Sequence, residues 1–211
     1  MSHVASGRVG KARRDFAVDL AKAYTISLSG ADAPWRKKIP YLLFNSELHC
    51  VAVFRFGQYA DDLTDRHFVA GRFALFAYRL VNRWITHVDH TDIDRDAQIG
   101  PGMLLMHRHG ILIGPAVIGA NCAIHQNVTI GQRVATGNHG VPRIGDNVWI
   151  GPGAVVTGAI TIGDGVTISA LTVISRDVPD GCLLAGNPGR VVARNYDNSG
   201  LLNFVPPAAE E

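Results

Sequence analysis

The sequence predicts a mainly β fold, a parallel β-helix of hexapeptide repeats preceded by an α-helical segment. Three observations carry that prediction. Between residues 99 and 178 an aliphatic residue returns every six positions, through Ile118, Ile124 and Ile130 and again through Ile144, Ile150, Val156, Ile162, Ile168 and Ile174. A second set keeps the same period at the fifth place of each unit: Cys122, Val128, Val148, Ala154, Ile160, Val166, Thr172 and Val178. Glycine often follows the aliphatic residue, where a chain turning a corner uses its conformational freedom. Such a return fits neither an α-helix nor a simple strand, whose periods are about 3.6 and 2.0. It fits a triangular coil in which each unit forms one flat side and stacked turns pair as parallel strands ~4.7–4.9 Å apart.

The chain before the repeat reads as helical. Residues 1–14 mix glycine with basic residues and are expected to fray. Residues 16–26 form an amphipathic pattern with Asp15 as candidate cap, and 27–40, with glycine, prolines and a Lys-Lys pair, read as a connector. Two helices follow at 41–59 and 67–86, separated by 61–65. On the second, Phe68, Phe73, Phe76, Leu80 and Trp84 fall near helical spacing. That face is expected to pack on the β-helix or on the neighbouring helix. With Arg72, Arg79 and Arg83 beside it, the alternative is a weak contact with a membrane surface.

Residues 87–98 (HVDHTDIDRDAQ) lead into the coil, whose first units (Ile99, Leu105, Ile111) are less regular, with a seven-residue step on to Ile118. Between Ile130 and Ile144 the step is 14, so eight residues must leave the prism, within 132–142. A tight stack interrupts itself where a loop contributes something. The expected organisation is a helical region at 1–86, a hexapeptide β-helix domain at 87–186 with an extruded loop at 132–142, and a C-terminal tail at 187–211.

Composition narrows the function. A chain of 211 residues buries one substantial core and at most a small second one. A net charge of +2 is too mild to imply a nucleic-acid partner. Cys50, Cys122 and Cys182 lack metal-ligand spacing, and Cys122, on a repeat position, reads as a buried thiol. His87 and His90 near Asp89 and Asp92 have no further ligands, so no metal is expected. There is no glycine-rich phosphate loop. The chain opens without a secretory pattern and has no apolar run of ~18 residues, so a cytoplasmic location is expected.

The segments GPGMLLMHRHGILIGPAVIGANCAIHQNVTIG and RIGDNVWIGPGAVVTGAITIGDGVTISALTVISRDVPDGCLLAGNPGRVV resemble the serine acetyltransferase branch of the left-handed β-helix acyltransferases. They are also similar to acetyltransferases of exopolysaccharide gene clusters. The resemblance spans residues 87–194 and implies a left-handed coil, against the usual right-handed crossover. It further implies a homotrimer with sites at subunit interfaces, acetyl-CoA as acyl donor, and a hydroxyl acceptor. The helical region is shorter than the family's, whose helices join two trimers, so a lone trimer is expected.

Acyl transfer from a thioester to an alcohol needs a base near pH 7, which histidine supplies with its ordinary pKa of ~6.5. It also needs donors for an oxyanion, which backbone amides at glycine corners supply. By resemblance His107, in MHRHG, matches the family's catalytic base. His109, two residues on and on the same face if the segment is extended, is a candidate for acceptor binding. The family's aspartate immediately before the base is replaced by Met106. A second family aspartate aligns with Asp92, the candidate for orienting His107 or holding the acceptor, with Asp89 and Asp94 as alternatives. The family's Arg-His pair before the loop proline corresponds to Gly140 and Val141 before Pro142, leaving His139 and Arg143 as nearby substitutes for gripping the acceptor. The family's pantetheine groove maps onto Gly131, Gly151, Pro152, Gly153 and Ala170, although corner geometry by itself also calls for glycine. Arg190 and Arg194 are candidates for the nucleotide phosphates.

The leading expectation is an acetyl-CoA-dependent O-acetyltransferase with a small hydroxylated acceptor, serine first. The missing Arg-His pair and the Gly131-Gln132-Arg133 junction point to the alternative, a sugar or exopolysaccharide O-acetyltransferase. A non-catalytic trimeric scaffold is the third reading.

Overall fold

The computed structural model describes residues 5–28, 30, 32–133 and 140–204, with side chains from residue 11 onward. Four helices come first: α1 (Ala5–Leu28), α2 (Trp35–Phe44), α3 (Ser46–Arg66) and α4 (Phe68–Asp89). Helix α1 begins well before the expected start, so Asp15 is a buried interior residue, not a cap. The helix expected at 41–59 is two helices divided at Asn45. There the backbone is extended, and the side chain accepts the Leu48 N–H at 2.8 Å, a standard N-cap. Residues 61–65 do not separate helices; they are the last turns of α3, and the break falls at His67.

Charged groups join the helices to the coil. The buried Arg55 of α3 donates to Asp19 of α1 (2.8 Å) and to the carbonyls of Ile99 (2.7 Å) and Gly100 (2.6 Å). Asp19 also accepts the Met103 N–H at 2.8 Å. Lys22, fully buried, donates to the carbonyls of Gly102 (2.9 Å) and Cys122 (3.3 Å). Burial lowers its pKa to about 8, against the pull of Cys122 and Asp19.

The expected packing face of α4 is reversed. Gly71, Leu75, Tyr78 and Ile85 face inward, and a Cβ at Gly71 would meet the backbone of Thr64 at 2.3 Å, so α3 and α4 approach closely there. Close approach recruits the small residue, leaving the bulky set outside: Phe68, Phe73 and Trp84 are 69%, 72% and 67% exposed, and Phe76 and Leu80 are exposed too.

The remainder is a left-handed parallel β-helix of about five turns. The first holds β1 (Asp92–Ile93), β2 (Gln98–Ile99) and β3 (Leu104–Met106), the second β4 (Leu112–Ile113), β5 (Val117–Ile118) and β6 (Ala123–His125). The third holds β7 (Thr129–Gly131), β8 (Arg143–Ile144) and β9 (Trp149–Ile150), the fourth β10 (Val155–Thr157), β11 (Thr161–Ile162) and β12 (Thr167–Ile168). The fifth holds β13 (Val173–Ile174), a bridge at Val178 to Ile162, and β14 (Leu183–Ala185). Face A stacks β1-β4-β7-β10-β13, face B stacks β2-β5-β8-β11, and face C stacks β3-β6-β9-β12-β14 and ends in β15 (Arg190–Ala193), antiparallel to β14.

The repeat residues form one buried ladder, with a correction to its early register. Ile113, not Ile111, pairs with Ile93 below and Ile130 above, and the coil begins at Ile93. Ile111 fills the inner slot two places earlier. The step from Leu105 to Ile113 is therefore eight residues, two more than the repeat, and the extra residues fall at the corner 107–110. Beyond Gly186 the chain returns along the prism. Helix α5 (Ser199–Leu202) buries Leu202, and the Asn198 amide donates to the carbonyl of Asn147 at 2.9 Å. The chain up to residue 204 is thus packed where a tail was expected.

Candidate functional site

The enlarged corner between faces C and A presents the two histidines. His107 adopts a left-handed backbone (φ 54), and so does Gly110 (φ 70). Gly110 N–H bonds to the Asp89 carbonyl at 3.2 Å, Arg108 pairs with the Asp89 carboxylate at 2.7 Å, and the Thr91 hydroxyl bonds to the Arg108 carbonyl. From the next turn, Asn127 N–H bonds to the His109 carbonyl at 2.9 Å. The corner is thus held from both sides while its imidazoles stay exposed. Because these residues form a corner rather than a flat side, strand alternation does not govern them; His109 stands edge-on to His90, with centroids 5.4 Å apart.

One turn on, Met106 pairs with His125, a residue absent from the sequence-derived site. His125 is buried, 4.6 Å from the Trp149 ring, with Nδ1 3.0 Å from the Ile150 carbonyl. A carbonyl only accepts, so Nδ1 carries the hydrogen. Burial lowers the pKa of His125, the Ile150 bond raises it, and nearby His107 lowers it further. Beside it, Gln126 has a buried Oε1 without a hydrogen-bond partner among the described residues. The legible signal was position: His125 stands directly after a ladder isoleucine, where Gly119, Gly131, Gly145, Gly151 and Gly163 stand in other units.

The remaining candidates divide between two edges. Gly151, Pro152, Gly153 and Ala170 lie on the same edge as His107, in later turns: Gly153 N–H bonds to the Gln126 carbonyl (3.0 Å) and Leu171 N–H to that of Pro152 (2.8 Å). Arg190 and Arg194 are exposed at the far end of face C, Arg190 on β15. Five strand spacings from β3 to β15 amount to ~24 Å. Gly131 and Arg143 sit instead across face A, at the end of β7 and the start of β8; space beside Gly131 is open, and Arg143 is exposed. His139 lies outside the described residues. Asp92 is exposed on β1, and its carboxylate has no hydrogen-bond partner among the described residues. The two alternatives are occupied, Asp89 by Arg108 and Asp94 by the Asp96 N–H at 2.8 Å.

A cavity of about 150 Å³ adjoins the corner, between β3 and the helices α1, α2 and α3. Met106 and His107 line one wall; Ser27, Tyr41 and Glu47 line the other.

Comparison with known proteins agrees with this architecture. Residues 142–176 match the family described as bacterial transferase hexapeptide (six repeats). A serine acetyltransferase of Bacillus pumilus is 33% identical over 170 residues, covering 78% of this chain and 72% of the relative. One from Synechococcus elongatus is 37% identical over 128 residues, 57% of this chain; the match spans about half of that relative (52%). Among solved structures, the Neisseria gonorrhoeae serine acetyltransferase in complex with serine superposes with a TM-score of 0.68 at 27% identity, covering 87% of this chain and 70% of that one. The Brucella abortus serine acetyltransferase in complex with coenzyme A gives 0.69 at 25%, covering 86% and 68%.

Proposed function

Since the chain belongs to the serine acetyltransferase family, we propose that it transfers the acetyl group of acetyl-CoA to the hydroxyl of serine. The observation that carries this reading is the enlarged corner, which presents His107 beside a cavity of about 150 Å³. A cavity of about that volume has room for an acceptor of serine's size. In the proposed reaction His107 takes the hydroxyl proton as the oxygen attacks the thioester carbonyl. The tetrahedral intermediate expels the coenzyme thiolate, which receives that proton, leaving the acetyl ester and free thiol. Asp92 is the available carboxylate for orienting His107 or the acceptor, Asp89 and Asp94 being engaged elsewhere.

Gly151, Pro152, Gly153 and Ala170 would hold the pantetheine arm along the edge that starts at His107, with Arg190 and Arg194 toward the phosphates. Gly131 and Arg143 join the same site only through another copy, because they occupy the opposite margin of face A. A homotrimer meets that need, one copy's loop margin meeting the next copy's His107 edge. His139 would grip the acceptor from the loop.

The test is acceptor-dependent release of thiol from acetyl-CoA, with serine against a panel of sugars. Turnover with serine supports the proposal. Turnover with sugars alone gives the sugar acetyltransferase, and no turnover with either gives the scaffold.

A further inference from the structure

We propose that α4 lies on an anionic bilayer surface, with its exposed aromatic stripe at the acyl-chain boundary and its row of arginines among the lipid phosphates. The inference stands apart from the acyl-transfer reading. Helical geometry supplies the reason. Val69, Phe73, Phe76, Leu80 and Trp84 recur at steps of four, three, four and four, so they form one stripe ~22 Å long opposite the buried face. All five are exposed. The helix cannot turn this stripe inward, because the close approach of Gly71 to Thr64 fixes its other face on α3. Arg72, Arg79 and Arg83, also exposed, fall in a second row beside the stripe. None of the three makes an ion pair among the described residues; Asp61, within the field of Arg79, is paired with Arg95 at 2.8 Å. The one acid of α4, Asp89, is buried and paired with Arg108. The open side of α4 is therefore apolar and cationic, with no negative charge of its own. That charge decides between occupants. A two-fold contact presents the same patch from both copies, so self-association by this face would set one row of arginines against another. An anionic membrane suits both halves: the apolar side chains enter the headgroup boundary while the arginines stay with phosphate. No helix among the described residues is long and apolar enough to cross a bilayer, so α4 would lie in the surface plane.

The test is flotation of the full chain with phosphatidylcholine vesicles that contain roughly one third phosphatidylglycerol, against phosphatidylcholine alone. The wild type should float with the anionic vesicles and be released by high salt. Phe73→Gln combined with Phe76→Gln should weaken binding by about tenfold or more. Each of Arg72→Gln, Arg79→Gln and Arg83→Gln should weaken it by about fivefold. Melting curves matched to the wild type identify the variants that fold. A second readout does not depend on altering the stripe: in a Trp35→Phe background, tryptophan emission should shift to the blue on anionic vesicles and be quenched by brominated acyl chains. No flotation and no shift, or equal flotation with both kinds of vesicle, overturns the proposal. Flotation undiminished in the folded α4 variants overturns it as well, moving the contact to another surface such as the exposed Trp35 and Leu43 of α2. A doubled mass in vesicle-free solution that reverts in F73Q/F76Q, without flotation, makes a second copy the occupant and overturns the membrane.

Discussion

At position 107 the best replacement for testing chemistry is asparagine, because the left-handed backbone there (φ 54) suits it. His107→Asn should keep the fold and lower acceptor-dependent turnover by ~10²-fold or more, the range of a lost general base; matched melting curves and thiol-release rates check both halves. Lys22 makes a separate prediction. Its pKa is lowered in the fold, from 10.5 to about 8, so the unfolded chain binds more protons between those values. This residue's contribution to stability therefore rises with pH from about 8 to 10.5, by on the order of 3 kcal/mol, and is lost as pH falls through 8. Cys50 and Cys122 act oppositely: burial raises both thiols from 9.0 to about 12, so their contribution falls as pH rises above 9. The Lys22 effect is thus read as a difference. Against Lys22→Met, the wild type should gain relative stability from pH 8 to 10.5 in denaturant titrations; parallel curves would contradict it. Sequence showed Cys122 as a buried repeat residue, but nothing local marked Lys22, whose partners Gly102 and Cys122 are 80 and 100 residues away.

At the scale of elements, each turn places a residue in the left-handed region at its corners, and glycine or asparagine usually fills it: Asn121, Asn127, Asn147, Gly153, Gly165 and Gly181. Leu171 is an exception, at φ 59 and 74% exposed. Its side chain gains little burial to offset the backbone cost, so Leu171→Asn should stabilise the fold by about 1 kcal/mol, a rise in Tm of ~2–4 °C for a chain of this size. An unchanged or lower Tm would show the leucine packed by something outside this chain. The loop expected at 132–142 lies largely outside the described residues; the ladder was legible because period six repeats at nearly every turn. The early register was not. Ile111 and Ile113 both face the core, and only strand pairing shows which is the ladder residue, and so that the corner bearing His107 is enlarged. Helix boundaries failed for a related reason. Asn45, a cap, and Gly71, a close contact, act through geometry that a pattern of apolar residues does not carry.

On the scale of the whole molecule, a triangular prism keeps its margins apart. His107 and the Gly151–Ala170 edge lie on one side of face A, Gly131 and Arg143 on the other, so the proposed groove needs the margin of a second copy. Gly131 offers a way to block that margin alone, since an added Cβ meets nothing within 4 Å and its backbone is not left-handed. Gly131→Trp should therefore fold normally and close the groove. Homogeneous His107→Asn and Gly131→Trp proteins should both be nearly inactive. Unfolded together in equal amounts and refolded, they assemble at random in closed rings, and a seam works only when an intact His107 edge meets an intact Gly131 margin. Each condition holds for half the chains, so roughly a quarter of wild-type activity should return, in particles with the mass of three chains. A site contained within one chain cannot be repaired this way, because each chain then carries its own defect. Mixed particles as inactive as their parents would place the groove inside the protomer and remove the reason for the trimer.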